Sequence, residues 1–160
     1  MGNIKVQSKN NLNNLDDYIL ELKEFTGINI NSELLSSTKD MEEIRQKSMI
    51  LKNKPEKTFS ISFEEKSSLK FKDFVRKLYI LNDSPVYIWT KKSNIHGLYK
   101  AKSINSLNYS FTFDVNVEGI VVFLTENLED KIILDYYKDN YGKKLLDITL
   151  KGQQWSSISY

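Results

Sequence analysis

The sequence predicts an α+β domain in which N-terminal helices pack on one face of a mainly antiparallel β-meander sheet. Helical periodicity is confined to the first half of the chain, and period-2 alternation dominates the second half. Helices and strands do not alternate regularly, as a parallel sheet would require. Nine Tyr and eight Phe against two Pro also favour sheet. At 160 residues, we expect residues 1–160 to form one domain.

The first helix follows an asparagine-rich lead-in, residues 1–13, that we expect to be flexible. Asn13 or Asn14 can cap this helix, and Gly27 lies just beyond its end. Its apolar residues recur at the spacing of one helix face: Leu15, Tyr18, Ile19, Leu22 and Phe25.

Two further helices are expected before residue 85. One begins near Thr38 and must end before Pro55, because proline disfavours helix in the residue ahead of it. The other is capped by Ser67 or Ser68 and ends at the turn from Asn82 to Pro85. Its outer face is basic.

Short strands are expected at residues 57–64, 86–90 and 98–104, the last one antiparallel. Residues 57–90 have the order strand, helix, strand. This order is compatible with two parallel strands, and the sequence pattern does not decide whether they are parallel or antiparallel. Residues 91–96, between the strands at 86–90 and 98–104, are polar and predict a loop.

The clearest strand pattern lies in residues 106–127, for which we predict a β-hairpin. Phe111, Phe113, Val115 and Val117 alternate with polar residues, and Gly119 supplies the turn. Ile120 to Leu124 is a continuous apolar run, which is typical of a central strand covered on both faces.

A second hairpin is predicted from residues 131–138 and 143–150, joined by the turn from Asp139 to Gly142. Its apolar residues form two matching rows, and the tail from Gly152 to Tyr160 predicts a last edge strand. The rows are Ile132, Leu134 and Tyr136 on the first strand, and Leu146, Ile148 and Leu150 on the second.

Several kinds of catalytic site are excluded by the composition. The absence of cysteine excludes disulfides, thiolate metal sites and thiol nucleophiles, and His96 is the single histidine. The six glycines are too scattered for a phosphate-binding loop. We therefore expect no enzyme activity, no metal and no cofactor. No run is apolar enough for a signal peptide or a membrane span, so a cytoplasmic protein is expected.

Two surfaces are candidates for binding. The C-terminal hairpin carries tyrosines and carboxylates suited to a basic protein partner: Glu126, Glu129, Asp130, Asp135, Tyr137, Asp139 and Tyr141. The alternative is a nucleic-acid-binding module on the basic segment 66–102, with candidate residues Lys70, Lys72, Arg76, Trp89, Lys91 and Lys92. A pI near 8.6, with acidic residues elsewhere, weighs against the alternative.

Residues 85–160 contain short motifs that resemble a known class of proteins. The motifs are PVYIWT from Pro85, GLYK from Gly97, EGIVV from Glu118, LTEN from Leu124 and KGQQW from Lys151. They resemble the small cytoplasmic immunity proteins of interbacterial toxin systems, including contact-dependent growth inhibition. The resemblance implies a non-enzymatic inhibitor that binds a toxin domain, such as a nuclease, and neutralises it in the producing cell.

Overall fold

The computed structural model describes residues 14–160, which form four α-helices and a six-stranded sheet. The α+β class is therefore confirmed, and the expected flexible lead-in at residues 1–13 lies outside the described residues. The helices are α1 (Leu15–Thr26), α2 (Thr38–Ser48), α3 (Leu69–Leu81) and α4 (Ser93–His96). The strands are β1 (Glu56–Ser62), β2 (Val86–Trp89), β3 (Tyr99–Ala101), β4 (Ile120–Thr125), β5 (Asp130–Lys138) and β6 (Lys144–Gly152).

The strands lie in the order β1-β6-β5-β4-β2-β3, and every neighbouring pair is antiparallel. Strands β1 and β2 consequently run in the same direction but are separated by three strands. The β1-α3-β2 unit is thus a crossover between non-adjacent strands, which answers the question that the sequence pattern left open.

The helix boundaries follow the local signals in the sequence. The Asn14 side chain accepts from the backbone N–H of Asp16 at the start of α1, and Gly27 ends this helix at φ 74°. Likewise, the Ser68 hydroxyl accepts from the N–H of Phe71 at the start of α3. Both caps were predicted.

The main core lies on one face of the sheet, here called the front face, beneath α1 and α3. Phe25 of α1 packs edge-on against Phe123 of β4 with ring centroids 6.0 Å apart. Phe74 of α3 packs in the same way on Phe59 of β1 at 5.6 Å. The two predicted apolar rows of the C-terminal hairpin meet here, because Leu134 lies directly opposite Ile148. This register confirms the predicted hairpin.

Helix α2 lies on the opposite face of the sheet, here called the back face. The Arg45 guanidinium of α2 lies 5.0 Å from the centre of the Trp89 ring. Trp89 follows the core residue Ile88 on β2, so its side chain lies on the face of the sheet opposite the core. The expectation that all helices share one face is therefore wrong. Exposed side chains on β1 and β5, including Thr58 and Asp135, show that the rest of the back face is open.

The predicted hairpin over residues 106–127 is wrong in its first half, since residues 107–119 form no strand. Strand β4 already pairs with β2 on one side and β5 on the other, so no edge remains for another strand. The segment instead covers the front face. Phe111 packs on Phe25 with ring centroids 4.9 Å apart, and Phe113 takes a positive φ of 64° that interrupts an extended chain.

Two smaller expectations are also wrong. Residues 93–96 form the short helix α4 instead of a loop. The tail is not an edge strand, because residues 155–157 form a 3₁₀ turn that buries Trp155 completely. The Trp155 indole N–H donates to the Leu78 carbonyl at 2.9 Å, which fixes the tail against α3.

Candidate functional site

A pair of carboxylates on the back face is the most unusual electrostatic feature of the sheet. Asp135 of β5 lies directly opposite Asp147 of β6, with no cation paired to either side chain among residues 14–160. The Ser60 hydroxyl of β1 donates to Asp147. Partial burial raises the pKa of Asp135, and the negative charge of Asp147 raises it further. The sheet therefore holds two like charges side by side on an accessible surface.

Apolar and hydroxyl side chains surround this carboxylate pair. Tyr137, which is 38% exposed, lies opposite the half-buried Leu145. On the other side, Ile133 lies opposite Thr149, which reaches the Thr58 hydroxyl at 3.1 Å. We call this surface the open face. It consists of the back-face side chains of β1, β5 and β6 around the carboxylate pair: Thr58, Ser60, Ile133, Asp135, Tyr137, Leu145, Asp147 and Thr149. The same face of the sheet continues past Leu145 to Ser62, and past Ile133 and Thr149 to Glu56, Lys131 and Lys151.

The structure does not bring the seven predicted partner-binding residues together in one patch. Asp135 and Tyr137 lie on the open face, and Tyr141 is 96% exposed at the β5-β6 turn beside it. Asp139 shapes that turn, because it accepts from the backbone N–H groups of Tyr141 and Lys143.

Two other predicted residues, Glu126 and Glu129, lie at the far end of β5. This strand has nine residues, so roughly 27 Å separate its ends at about 3.4 Å per residue. Glu126 is paired with the Lys100 ammonium at 2.6 Å. Glu129 is exposed beside the β4-β5 turn. Neither side chain belongs to the open face.

Asp130 belongs to the interior of the protein instead of its surface. Its side chain is fully buried and accepts hydrogen bonds from three N–H groups. The donors are the Asn82 amide at 2.8 Å, the Trp155 backbone at 2.9 Å and the Gln154 backbone at 3.2 Å. The carboxylate thus anchors the tail and the turn before β2, and no partner can reach it.

The residues predicted for nucleic-acid binding are divided between the two sides of the sheet. Lys70, Lys72 and Arg76 are exposed on α3 above the front face, whereas Trp89 lies on the back face. Lys92 is buried at 4% exposure and pairs with the fully buried Glu21 at 2.8 Å. These residues therefore form no common groove for a nucleic-acid strand.

The open face also contains residues that sequence reasoning missed. Asp147 and Ser60 were not selected, although their alternation with buried neighbours indicates that they point away from the core. Asp147 forms the carboxylate pair only because it lies opposite Asp135, and Ser60 joins the site because it donates to Asp147 across the sheet. A sequence pattern gives the face of each side chain but not the cross-strand neighbour.

His96 takes part in packing within the fold. Its ring stacks on Tyr18 with centroids 5.5 Å apart, and the Tyr18 hydroxyl donates to the Gly97 carbonyl at 2.6 Å. Burial raises the pKa of Tyr18. Residues 14–160 contain no cluster of His, Asp and Glu arranged to hold a metal ion.

Comparison of the chain with protein-family models, curated proteins and solved structures finds no match. Any assignment therefore depends on the geometry of the residues themselves. None of the helices in the described part of the chain is both long and apolar enough to cross a bilayer.

Proposed function

We propose that this protein is an immunity protein, which binds a basic toxin domain through the open face and inhibits it in the cytoplasm. The observation that supports this proposal best is the Asp135–Asp147 pair, two carboxylates without a paired cation on an accessible sheet face. The short motifs in residues 85–160 that resemble immunity proteins supply the biological context.

The carboxylate pair favours a cationic partner for an electrostatic reason. Directly opposite residues on antiparallel strands have Cβ atoms about 5 Å apart, and like charges at that distance repel. An arginine of a partner can donate to both carboxylates at once, which relieves the repulsion. Burial raises the pKa of Asp135, and the negative charge of Asp147 raises it further. A partner's cation would offset the second of these two effects.

The neighbouring aromatic side chains suit a protein partner in particular. Tyr137 is exposed on the same face as the carboxylates, and Tyr141 is exposed in the turn at the end of that hairpin. Tyrosine is enriched among residues that dominate interface energies. A nuclease is a fitting target, because the groove that binds nucleic-acid phosphates is lined with Lys and Arg. An acidic face over that groove blocks substrate access.

Co-expression with the protein encoded immediately upstream, as the candidate toxin, tests the proposal. We expect a one-to-one complex and relief of toxicity. The D135N/D147N double variant should bind roughly ten- to a hundredfold more weakly, as expected for loss of close charge pairs, and the difference should shrink at high salt. D83N is the matched control, because Asp83 is exposed in a turn outside the open face.

Two results would contradict the proposal. One is the failure of the toxin domain to form a complex, together with unchanged toxicity. The other is a complex whose affinity is the same for the wild-type protein and the D135N/D147N variant, which would place the contact elsewhere.

A further inference from the structure

A groove lies on the other side of the molecule, between α3 and residues 105–110. Its volume is about 600 Å³, which is within the range of small-molecule sites. Three cationic residues line it, Lys66, Lys72 and Arg76, together with the ring of Tyr109. Asp73 is the single acidic residue among those lining the groove.

Lys66 is the residue that distinguishes this groove from an ordinary basic surface. The residue is only 4% exposed, and its ammonium group lies 4.2 Å from the centre of the Phe63 ring and 4.8 Å from that of Phe111. It makes no hydrogen bond or ion pair with any residue from 14 to 160. An ammonium has three N–H donors. Solvent reaches that of Lys66 only in part, because the residue is 4% exposed but Glu24 Oε2 is the one fully buried side-chain polar atom without a hydrogen bond in residues 14–160. Incomplete hydration of the donors is costly.

The aromatic rings compensate only part of this cost. Cation–π contacts stabilise the positive charge but leave the N–H donors without an acceptor oxygen. Burial lowers the pKa of Lys66, although Glu64 and Glu24 oppose this shift through their negative charges. An anion in the groove would supply both the acceptors and the compensating charge.

The charges around the groove match a phosphomonoester. Among the residues that line the groove, Lys66, Lys72 and Arg76 contribute three positive charges and Asp73 one negative charge, a balance close to the two negative charges of a phosphomonoester. Glu64 and Glu24 do not line the groove, but their negative charges act on Lys66 and offset part of this balance. Arg76 contacts Asp73 only loosely, at 3.8 Å, with both side chains about two-thirds exposed. Its guanidinium can therefore turn to a phosphate, which it binds in a bidentate manner.

We propose that this groove binds a small phosphomonoester, with the phosphate on Lys66 and between Lys72 and Arg76. The Tyr109 hydroxyl donates to the Ile104 carbonyl at 2.7 Å, which holds the ring in place as a surface for the organic part of the ligand. The groove admits one small molecule, whereas a nucleic-acid strand needs a cationic track that extends beyond it.

Calorimetric titration of the full chain with inorganic phosphate and with adenosine monophosphate tests the site, with acetate at matched ionic strength as the control anion. We expect saturable binding of both phosphate probes and none of acetate. Tighter binding of adenosine monophosphate would show that the organic part contributes, and equal binding would identify phosphate alone as the ligand. Amide NMR shifts should change at Ser67 and Ser110, which line the groove.

The K66M variant should bind phosphate at least about tenfold more weakly, as expected for loss of a charge-assisted hydrogen bond. K70M is the matched control, since the Lys70 ammonium also lies over an aromatic ring, that of Tyr160 at 4.4 Å, but outside the groove. R76Q tests the site independently of any folding effect of K66M, because Arg76 is exposed.

Three results would overturn the inference. The first is no saturable binding of either phosphate probe, and the second is equal affinity for the wild-type, K66M and R76Q proteins. The third is binding of an oligonucleotide in the absence of binding to phosphate or adenosine monophosphate, which would indicate a nucleic-acid surface instead.

Discussion

Replacement of Asp130 by Asn tests whether this carboxylate anchors the fold, as its three hydrogen bonds indicate. Its Oδ1 atom accepts from the backbone N–H groups of Gln154 and Trp155, and its Oδ2 atom accepts from the Asn82 amide. In the D130N variant, the new NH₂ group would face the NH₂ group of Asn82, and neither can accept a hydrogen bond.

Rotation of the Asn82 amide does not solve this conflict. Its oxygen already accepts from the Ser84 backbone at 3.2 Å and from the Asn127 amide at 3.1 Å. The variant therefore loses one hydrogen bond to a charged group, worth about 1.5–3 kcal/mol, and weakens two more by removing the charge. We expect a loss of about 3 kcal/mol in the free energy of unfolding, which lowers Tm by about 6–12 °C in a chain of this size.

Urea and thermal unfolding of D130N, with E129Q as the control, measure this effect. Glu129 is the exposed neighbour of Asp130, so its replacement should change stability little. A D130N variant within about 0.5 kcal/mol of the wild type would refute the anchoring role. Weaker partner binding at unchanged stability would instead place Asp130 in a contact surface.

Three further substitutions probe other parts of the molecule. D135N should raise the free energy of unfolding by about 0.5 kcal/mol at pH 7, because it removes like-charge repulsion. The pKa of Asp135 is raised in the folded state, so protonation should relieve the repulsion in the wild type as the pH falls towards 4. Urea unfolding should therefore show the wild-type stability approaching that of the variant at low pH. K92M should cost about 3–5 kcal/mol because it leaves Glu21 buried and uncompensated, and adding E21M should restore most of the loss in the same assay. G152A should lower Tm markedly, because a Cβ at φ 121° would lie 2.3 Å from the Asp130 carboxylate.

The first three helices and the C-terminal hairpin could be predicted because their signals are local. The spacing of apolar residues defines the inward side of α1, and Asn14 and Gly27 mark its ends. In the hairpin, the turn from Asp139 to Gly142 fixes which residues lie opposite each other across β5 and β6. Each element thus contains the information that specifies it.

The covering segment 107–119 could not be predicted because its structure depends on distant residues. Alternation correctly indicates that Phe111 and Phe113 are buried. It does not reveal that both edges of β4 are already paired, which leaves only the front face for these rings. Beyond Phe113 the pattern fails for burial as well, because Val117 of the same row is 81% exposed and the polar Asn116 is buried. Both burial there and strand pairing depend on the rest of the fold.

The candidate site shows the same division. Asp135 and Tyr137 were expected to point away from the core, and both are exposed. Asp130 was selected from the same segment but is buried, because the tail and Asn82 supply donors from elsewhere in the chain. Similarly, Lys92 looks like a surface cation in the sequence, and only the fold brings Glu21 to it.

The two proposed sites lie on opposite sides of the sheet, which makes them independent. Side chains alternate along β5, so Asp135 points to the open face while Leu134 points into the core beneath α1 and α3. The groove containing Lys66 lies on the outer side of that core. Since separated sites without shared contacts behave additively, we predict that phosphate bound in the groove would leave the affinity of the open face for a protein partner unchanged.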